Sequence, residues 1–348
     1  MKKIAATLVL VLGLHAFAAG PQVPQNVAAV LYVDLAQIKA NAALPPLWDS
    51  LCSVSEDFRE MESAFDEAKK DADLQRFIKE SGLDKASLSW MMMTLEKLDF
   101  HMVGDSLRIP QITFAISGDF NADKVVRAAA AEADDDPADE PLEGLGVTAF
   151  VLDDKESKSI LGDAKIRNVT FCYAAAAPNV VVLASNKTAL QKMVSLYAGD
   201  LPADSATTRK LVATGRRGIC SVAVDLKKLN LDALKSSNWW RTELDDSGRM
   251  GIEMLLNVIT DIHFALSSVD GNWIRADYEI GLKDGSVELV DAALDPVRDM
   301  LKPGPGSVCR SFDLKRVGRT VKGTSVFDFV AAVKSLEDGA SAETDDDK

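Results

Sequence analysis

Histidine is almost missing from this chain. Three occur in 348 residues, His15 just past the first apolar run and the others at His101 and His263. General acid–base or metal chemistry built on imidazole therefore has only two residues to draw on beyond the start of the chain. Positive charge is also in short supply: 39 Lys and Arg face 53 Asp and Glu, for a net charge of −14 at pH 7. Such a balance opposes phosphate backbones and anionic lipid surfaces, so no nucleic acid is expected as a partner. Aromatic residues make up 6%. Trp48, Trp239 and Trp240 are better read as core packing than as a groove that stacks sugars.

Cysteine is scarce, and its spacing is uninformative. Cys52, Cys172, Cys220 and Cys309 include no C-x-x-C pair, which argues against redox and zinc-knuckle motifs. Four cysteines allow three pairings, and buried thiols and one or two bridges both remain open. Catalytic signatures are missing as well. No G-x-S-x-G elbow or H-E-x-x-H helix occurs, and no G-x-G-x-x-G opens a helix after a strand. Residues Gly318 to Ser325 approach a phosphate-binding loop, but Thr324 stands where its lysine belongs. The acidic stretch Glu132 to Glu143 lacks the register of a calcium loop and reads as solvated. No cofactor is expected. No apolar run after the first is long enough to cross a bilayer, so no integral membrane segment is expected after leader cleavage.

The first 19 residues carry the most specific signal. Lys2 and Lys3 form a positive start, Ile4 to Leu14 an apolar middle, and Ala16-Phe17-Ala18 a small-residue cleavage site. The pattern predicts a cleaved signal peptide and a periplasmic or extracellular destination, in the style of a bacterial leader. Removing the two lysines makes the remaining chain more acidic still.

Two stretches organise the rest. Val27 to Trp48 reads as a buried strand ending in Asp34, followed by a helix. Ile219 to Trp239 repeats it without a gap, placing Asp225 against Asp34 and Trp239 against Trp48. Further on, Asp99-Phe100-His101-Met102 aligns with Asp261-Ile262-His263-Phe264, the first half carrying a longer helical insertion. These matches predict two tandem homologous α+β repeats, at 20–200 and 219–337, joined by a linker at 201–218. An acidic, disordered tail is expected at 338–348. Each repeat is expected to have a mainly antiparallel sheet covered on one face by helices.

The pattern also predicts individual elements. A helix is expected from about Leu35, interrupted near Pro45-Pro46. A long amphipathic helix is expected over Glu56 to Lys79. Leu98 to Val103 and Gln111 to Ser117 read as paired strands. Asn121 reads as the cap of one helix and Ser185 as the cap of the next. Helices are further predicted at Leu229 to Leu244, Val287 to Met300 and Val326 to Leu336. Trp90 and the run Met91 to Met93 read as core filling.

In this frame His101 and His263 hold the same place in their repeats. If a pseudo-two-fold brought them together, they could bind a metal with Asp99 and Asp261. A hydrogen-bonded structural pair within each D-x-H is the simpler alternative. Asp34 and Asp225 read as helix caps before they read as ligands or bases.

The P-x-x-V-x-x-x-x-Y-V-D-L opening at Pro24 to Leu35, together with Val180 to Val194, resembles a loose group of uncharacterised exported bacterial proteins with duplicated α+β domains. That resemblance implies an export context and a fold type, and no activity. The resulting expectation is a non-enzymatic binding or interaction protein of the cell envelope, whose partner or ligand is unknown. An exported metal-dependent hydrolase and a carrier of a hydrophobic ligand are the alternatives.

Overall fold

The structure is a computed structural model of the whole chain. It describes residues 20–68, 70, 72–83, 87–97, 101–103, 106–108, 111–131, 139–152, 169–208, 218–229, 235, 240, 245–286, 288, 290 and 307–335. The leader, most of the acidic loop, the predicted helices at 229–244 and 287–300 and the tail lie outside these residues, apart from isolated positions.

An antiparallel sheet of 12 strands runs through both halves of the sequence. Its centre is the pair β1 (Ala29–Asp34) and β10 (Cys220–Asp225). Beyond β1 lie, in order, β2 (Leu88–Leu95), β5 (Ile112–Gly118), β9 (Val180–Ala184), β8 (Cys172–Ala177), β7 (Ala149–Val151) and β6 (Glu140–Pro141). Beyond β10 lie β11 (Ile259–Asp270), β12 (Trp273–Leu282), β14 (Thr320–Asp328) and β13 (Cys309–Val317). A separate hairpin pairs β3 (His101–Val103) with β4 (Ser106–Arg108). The mixed α+β class is therefore correct.

The central register matters most. Leu31 faces Val222 across the β1–β10 ladder, and these are the two positions that the Asp34/Asp225 alignment equates. Both strands end the same way. The Asp34 carboxylate accepts from the Gln37 N–H and starts α1 (Leu35–Ala40). Asp225 accepts from the Lys227 N–H and starts a 3-10 turn, Leu226–Lys228. Both aspartates are caps, as their position just before a helical turn predicts.

Helices lie on both faces of the sheet, which corrects the expectation of one covered face. The reason can be read in alternate residues, since neighbours in a strand point to opposite sides. Cys172, Ala174, Val180 and Val182 bury against α6 (Lys187–Ala198), through Leu190 and Met193. Tyr173, Ala175, Val181 and Leu183 turn the other way, toward Ala122 and Val126 of α5 (Ala122–Ala129). In the second half, Leu47 and Leu51 of α2 (Leu44–Val54) pack on Ile274, Leu266 and Phe327. A helix from the first half thus covers strands of the second. The opposite face there is polar, with Ala223, His263, Glu279, Lys322 and Lys315 in one cross-strand row.

Several local expectations are corrected. The long helix is two, α3 (Glu56–Ala68) and α4 (Ala72–Ser81). β3 pairs with β4, and β5 instead joins β2 and β9. Asn186, not Ser185, caps α6, accepting from the Ala189 N–H. Ser185 is buried and accepts from the Ile112 N–H instead. β14 runs on to Asp328, so the last helix begins later than Val326 and is described over 329–335. Asn121 caps α5 as expected, accepting from the Lys124 N–H. Another helix of the second half is α7 (Asp246–Val258), with Met250 and Met254 exposed on it.

Candidate ligand-binding site

The residues singled out by sequence do not converge. His101 stands on the small hairpin, and His263 is buried on β11 of the large sheet. The expected equivalence of the two histidines fails at the register. Ala223 faces His263, whereas Tyr32, the position aligned with Ala223, faces Met92. Met92, not His101, holds the counterpart place. His101 and His263 thus have different strand neighbours. Asp261 faces Asp225 on one side and Gly281 on the other, and accepts a hydrogen bond of 2.6 Å from the Thr260 hydroxyl. A Cβ at Gly281 would lie 2.1 Å from an Asp261 carboxylate oxygen, so that glycine makes room for the aspartate. Asp99 and Trp239 lie outside the described residues. Trp48 packs edge-on against Phe58, and Trp240 is buried. Among the described residues, no group of three or more His, Cys, Asp or Glu is placed to hold a metal ion. The four cysteines are free thiols.

The chemistry gathers elsewhere, in a cavity of about 260 Å³ between α6 and the sheet. Its floor is the hydroxyl pair of Thr94 and Thr113, buried neighbours on β2 and β5 that share a hydrogen bond of 2.6 Å. Ala189, Met193 and Leu196 of α6 form one wall. Asn186 starts that helix and Gly199, at φ 86°, ends it in the left-handed conformation that favours glycine.

The opposite wall is the segment 24–27, held as a strap. The Gln22 N–H donates to the Tyr197 hydroxyl and the Val23 N–H to Thr208 Oγ1. The Val23 carbonyl accepts from the Asp204 N–H at 2.8 Å, and Pro24 bridges Ala203. Val23 is fully buried under this arrangement. Burial also pushes the Tyr197 phenol well above its ordinary pKa, so it stays a neutral hydroxyl in the alkaline range where free tyrosine ionises. Asn26, at φ 66°, is the one non-glycine residue with a positive φ among the described residues, and it lines the cavity. Backbone held in a sparsely populated region persists only where the surroundings fix it, and it clusters at binding sites.

One end of the cavity is polar. Lys192 and Glu96 form an ion pair of 2.5 Å there, with 45% and 33% of their side chains exposed. Gln111 lies beside them, its backbone carbonyl accepting from the Glu96 N–H. Its side-chain Oε1 is buried and has no hydrogen-bond partner. Leaving such an acceptor unmet costs about 1–3 kcal/mol. The arrangement can hold a small molecule. Its lining includes no histidine or cysteine, and it offers no nucleophile activated by a base.

Sequence reasoning missed this site because its residues come from four separate segments. Thr94 and Thr113 were the available signal. Both sit at inward positions of apolar strands, where a hydroxyl needs a partner. No protein-family model matches the chain, no curated protein matches it, and no solved structure matches it.

Proposed function

We propose that the chain is an exported, non-enzymatic binding protein whose first half holds a small molecule beneath α6. The observation that carries this reading is the cleft itself, floored by the buried Thr94/Thr113 hydroxyl pair and walled by Ala189, Met193 and Leu196. The Thr94/Thr113 floor and the charged end count against a carrier of purely apolar ligands. The shift of His263's counterpart to Met92 removes the motive for a two-histidine hydrolase.

Two parts of the reading concern history and place. The Leu31/Val222 pairing and the matched caps support a tandem duplication whose halves meet at β1 and β10. The Lys2-to-Ala18 pattern supports export, and no helix among the described residues is long and apolar enough to cross a membrane.

The test is a small-molecule screen followed by protein-detected NMR on the purified chain. Compounds that bind should shift the amides of Thr94, Gln111 and Met193 together. A screen whose hits all map elsewhere on the molecule overturns the assignment of the site.

A further inference from the structure

Resting on that reading of the cavity, we infer that residues 25–27 are a gate over it, latched shut from the second half of the chain by Lys228. Pro24, Gln25, Asn26 and Val27 all line the cavity. Gln25 and Asn26 form a tight turn there, and both are exposed. Asn26 supplies a φ of 66° at the third position of that turn, a conformation that asparagine tolerates better than most residues. The chain on either side is fixed. Pro24 bridges Ala203, and the Ala28 N–H donates to the Leu95 carbonyl at 2.7 Å. The turn between them is held far less. Among the described residues, one hydrogen bond reaches residues 25–27 from another element: Lys228 Nζ donates to the Val27 carbonyl at 2.7 Å.

The end of β10 aims this latch. The Asp225 N–H donates to the Ala28 carbonyl at 2.7 Å, which pins β10 beside the foot of the turn. One Asp225 carboxylate oxygen accepts from the Lys227 N–H and starts the 3-10 turn that carries Lys228. The other lies 3.5 Å from Lys228 Nζ. The ammonium is thus shared between a carboxylate of its own half and a carbonyl of the other. A hydrogen bond from a charged donor is of the stronger kind, and this one is partly buried. Segments held by few hydrogen bonds open locally while the core around them stays closed. Loops of this kind gate many binding sites. Release of Lys228 lets the turn lift from the cavity without parting β1 from β10. A residue of the second half therefore controls entry to a cavity built by the first.

The test is thiol labelling of the full chain with N-ethylmaleimide, read residue by residue by mass spectrometry. Met193→Cys places a reporter in the cavity wall. The native Cys172, buried in the same core under α6, is the internal reference. Adding Lys228→Met should quicken labelling at position 193 by about tenfold or more, and at Cys172 by less than about twofold. Lys228→Arg keeps a charged donor and should return most of the slow rate. Thr94→Cys, on the cavity floor, is the second reporter if Met193→Cys does not fold. Unchanged labelling at both reporters in Lys228→Met overturns the latch. An equal rise at Cys172 shows general loosening and overturns the gate. Either result leaves the cavity a ligand site if screened compounds still shift Thr94 and Met193 together. Compounds that all map elsewhere overturn the site, and the gate with it, whatever the labelling shows.

Discussion

Tyr278 shows how much one side chain can demand of its neighbours. Its ring lies over Gly323 on the adjacent strand, where a Cβ would come 1.9 Å from a ring carbon. Its hydroxyl is buried without a hydrogen-bond partner, and Phe312 lies tilted beside it at 6.4 Å between ring centres. Burial, then the nearby Cys309, Asp313 and Asp277, push the phenol up from 10.0 to about 12. The folded state therefore holds this proton where the unfolded chain has lost it. Its contribution to stability is intact below pH 10 and falls away as the pH rises toward 12. Tyr278→Phe should raise stability at pH 7 by about 1–3 kcal/mol, because it removes a buried hydroxyl that makes no hydrogen bond. The variant should lose less stability than the wild type between pH 10 and 12, as read by urea melts. A second prediction concerns Gly118. A Cβ there would sit 2.0 Å from the backbone oxygen of Ser87, which accepts the Asp119 N–H. Gly118→Ala should cost about 1–3 kcal/mol by the same measurement, since backbone must move to admit it.

At the scale of elements, the caps were legible and the strand partners were not. Asp34, Asp225 and Asn121 announce helix starts by residue type and position alone, and the structure uses all three. Ser185 and Asn186 are both good caps by chemistry. The choice falls to Asn186 because Ser185 points inward from the end of β9 and is taken up by the Ile112 N–H. No local pattern carries that information. The same limit explains His101. Its D-x-H segment looks like that of His263, but partner strands are chosen by long-range packing, which put β2 beside β1 and left His101 on a short hairpin. The cavity was hidden for the same reason, since Gln111, Glu96, Lys192 and the 24–27 strap meet only after folding. Asn186→Ala should cost about 1 kcal/mol. Because α6 walls the cavity, hydrogen exchange at Ala189 and Leu190 should quicken more than exchange in β12. Uniform quickening across both would mean that the cap serves global stability only.

At the scale of the molecule, the two halves share one sheet, and a helix of the first covers strands of the second. β1 bonds to β10, and α2 of the first half seals Ile274 and Phe327 of the second. The start of the expected linker is likewise in contact, with Ala203 and Asp204 holding the strap. The structure therefore predicts one unfolding transition rather than two. Variants that keep only Trp90 or only Trp273 report on separate halves, and their fluorescence should give the same urea midpoint. Leu51→Ala should lower both midpoints together, by about 2–5 kcal/mol in stability. Midpoints that separate would show two independent units behind the continuous sheet.

The middle of that sheet also dictates a timetable. β1 is among the first segments made, yet its partner β10 lies in the second half of the chain. Until Ile219 to Asp225 have been synthesised, the earliest strand has one flank bare, and pairings so distant in sequence close slowly. A chain stopped before Ile219 would present Val30 and Tyr32 on an open border ready to accept any extended peptide. For a molecule assembled in this order, a holding chaperone during synthesis is a foreseeable need.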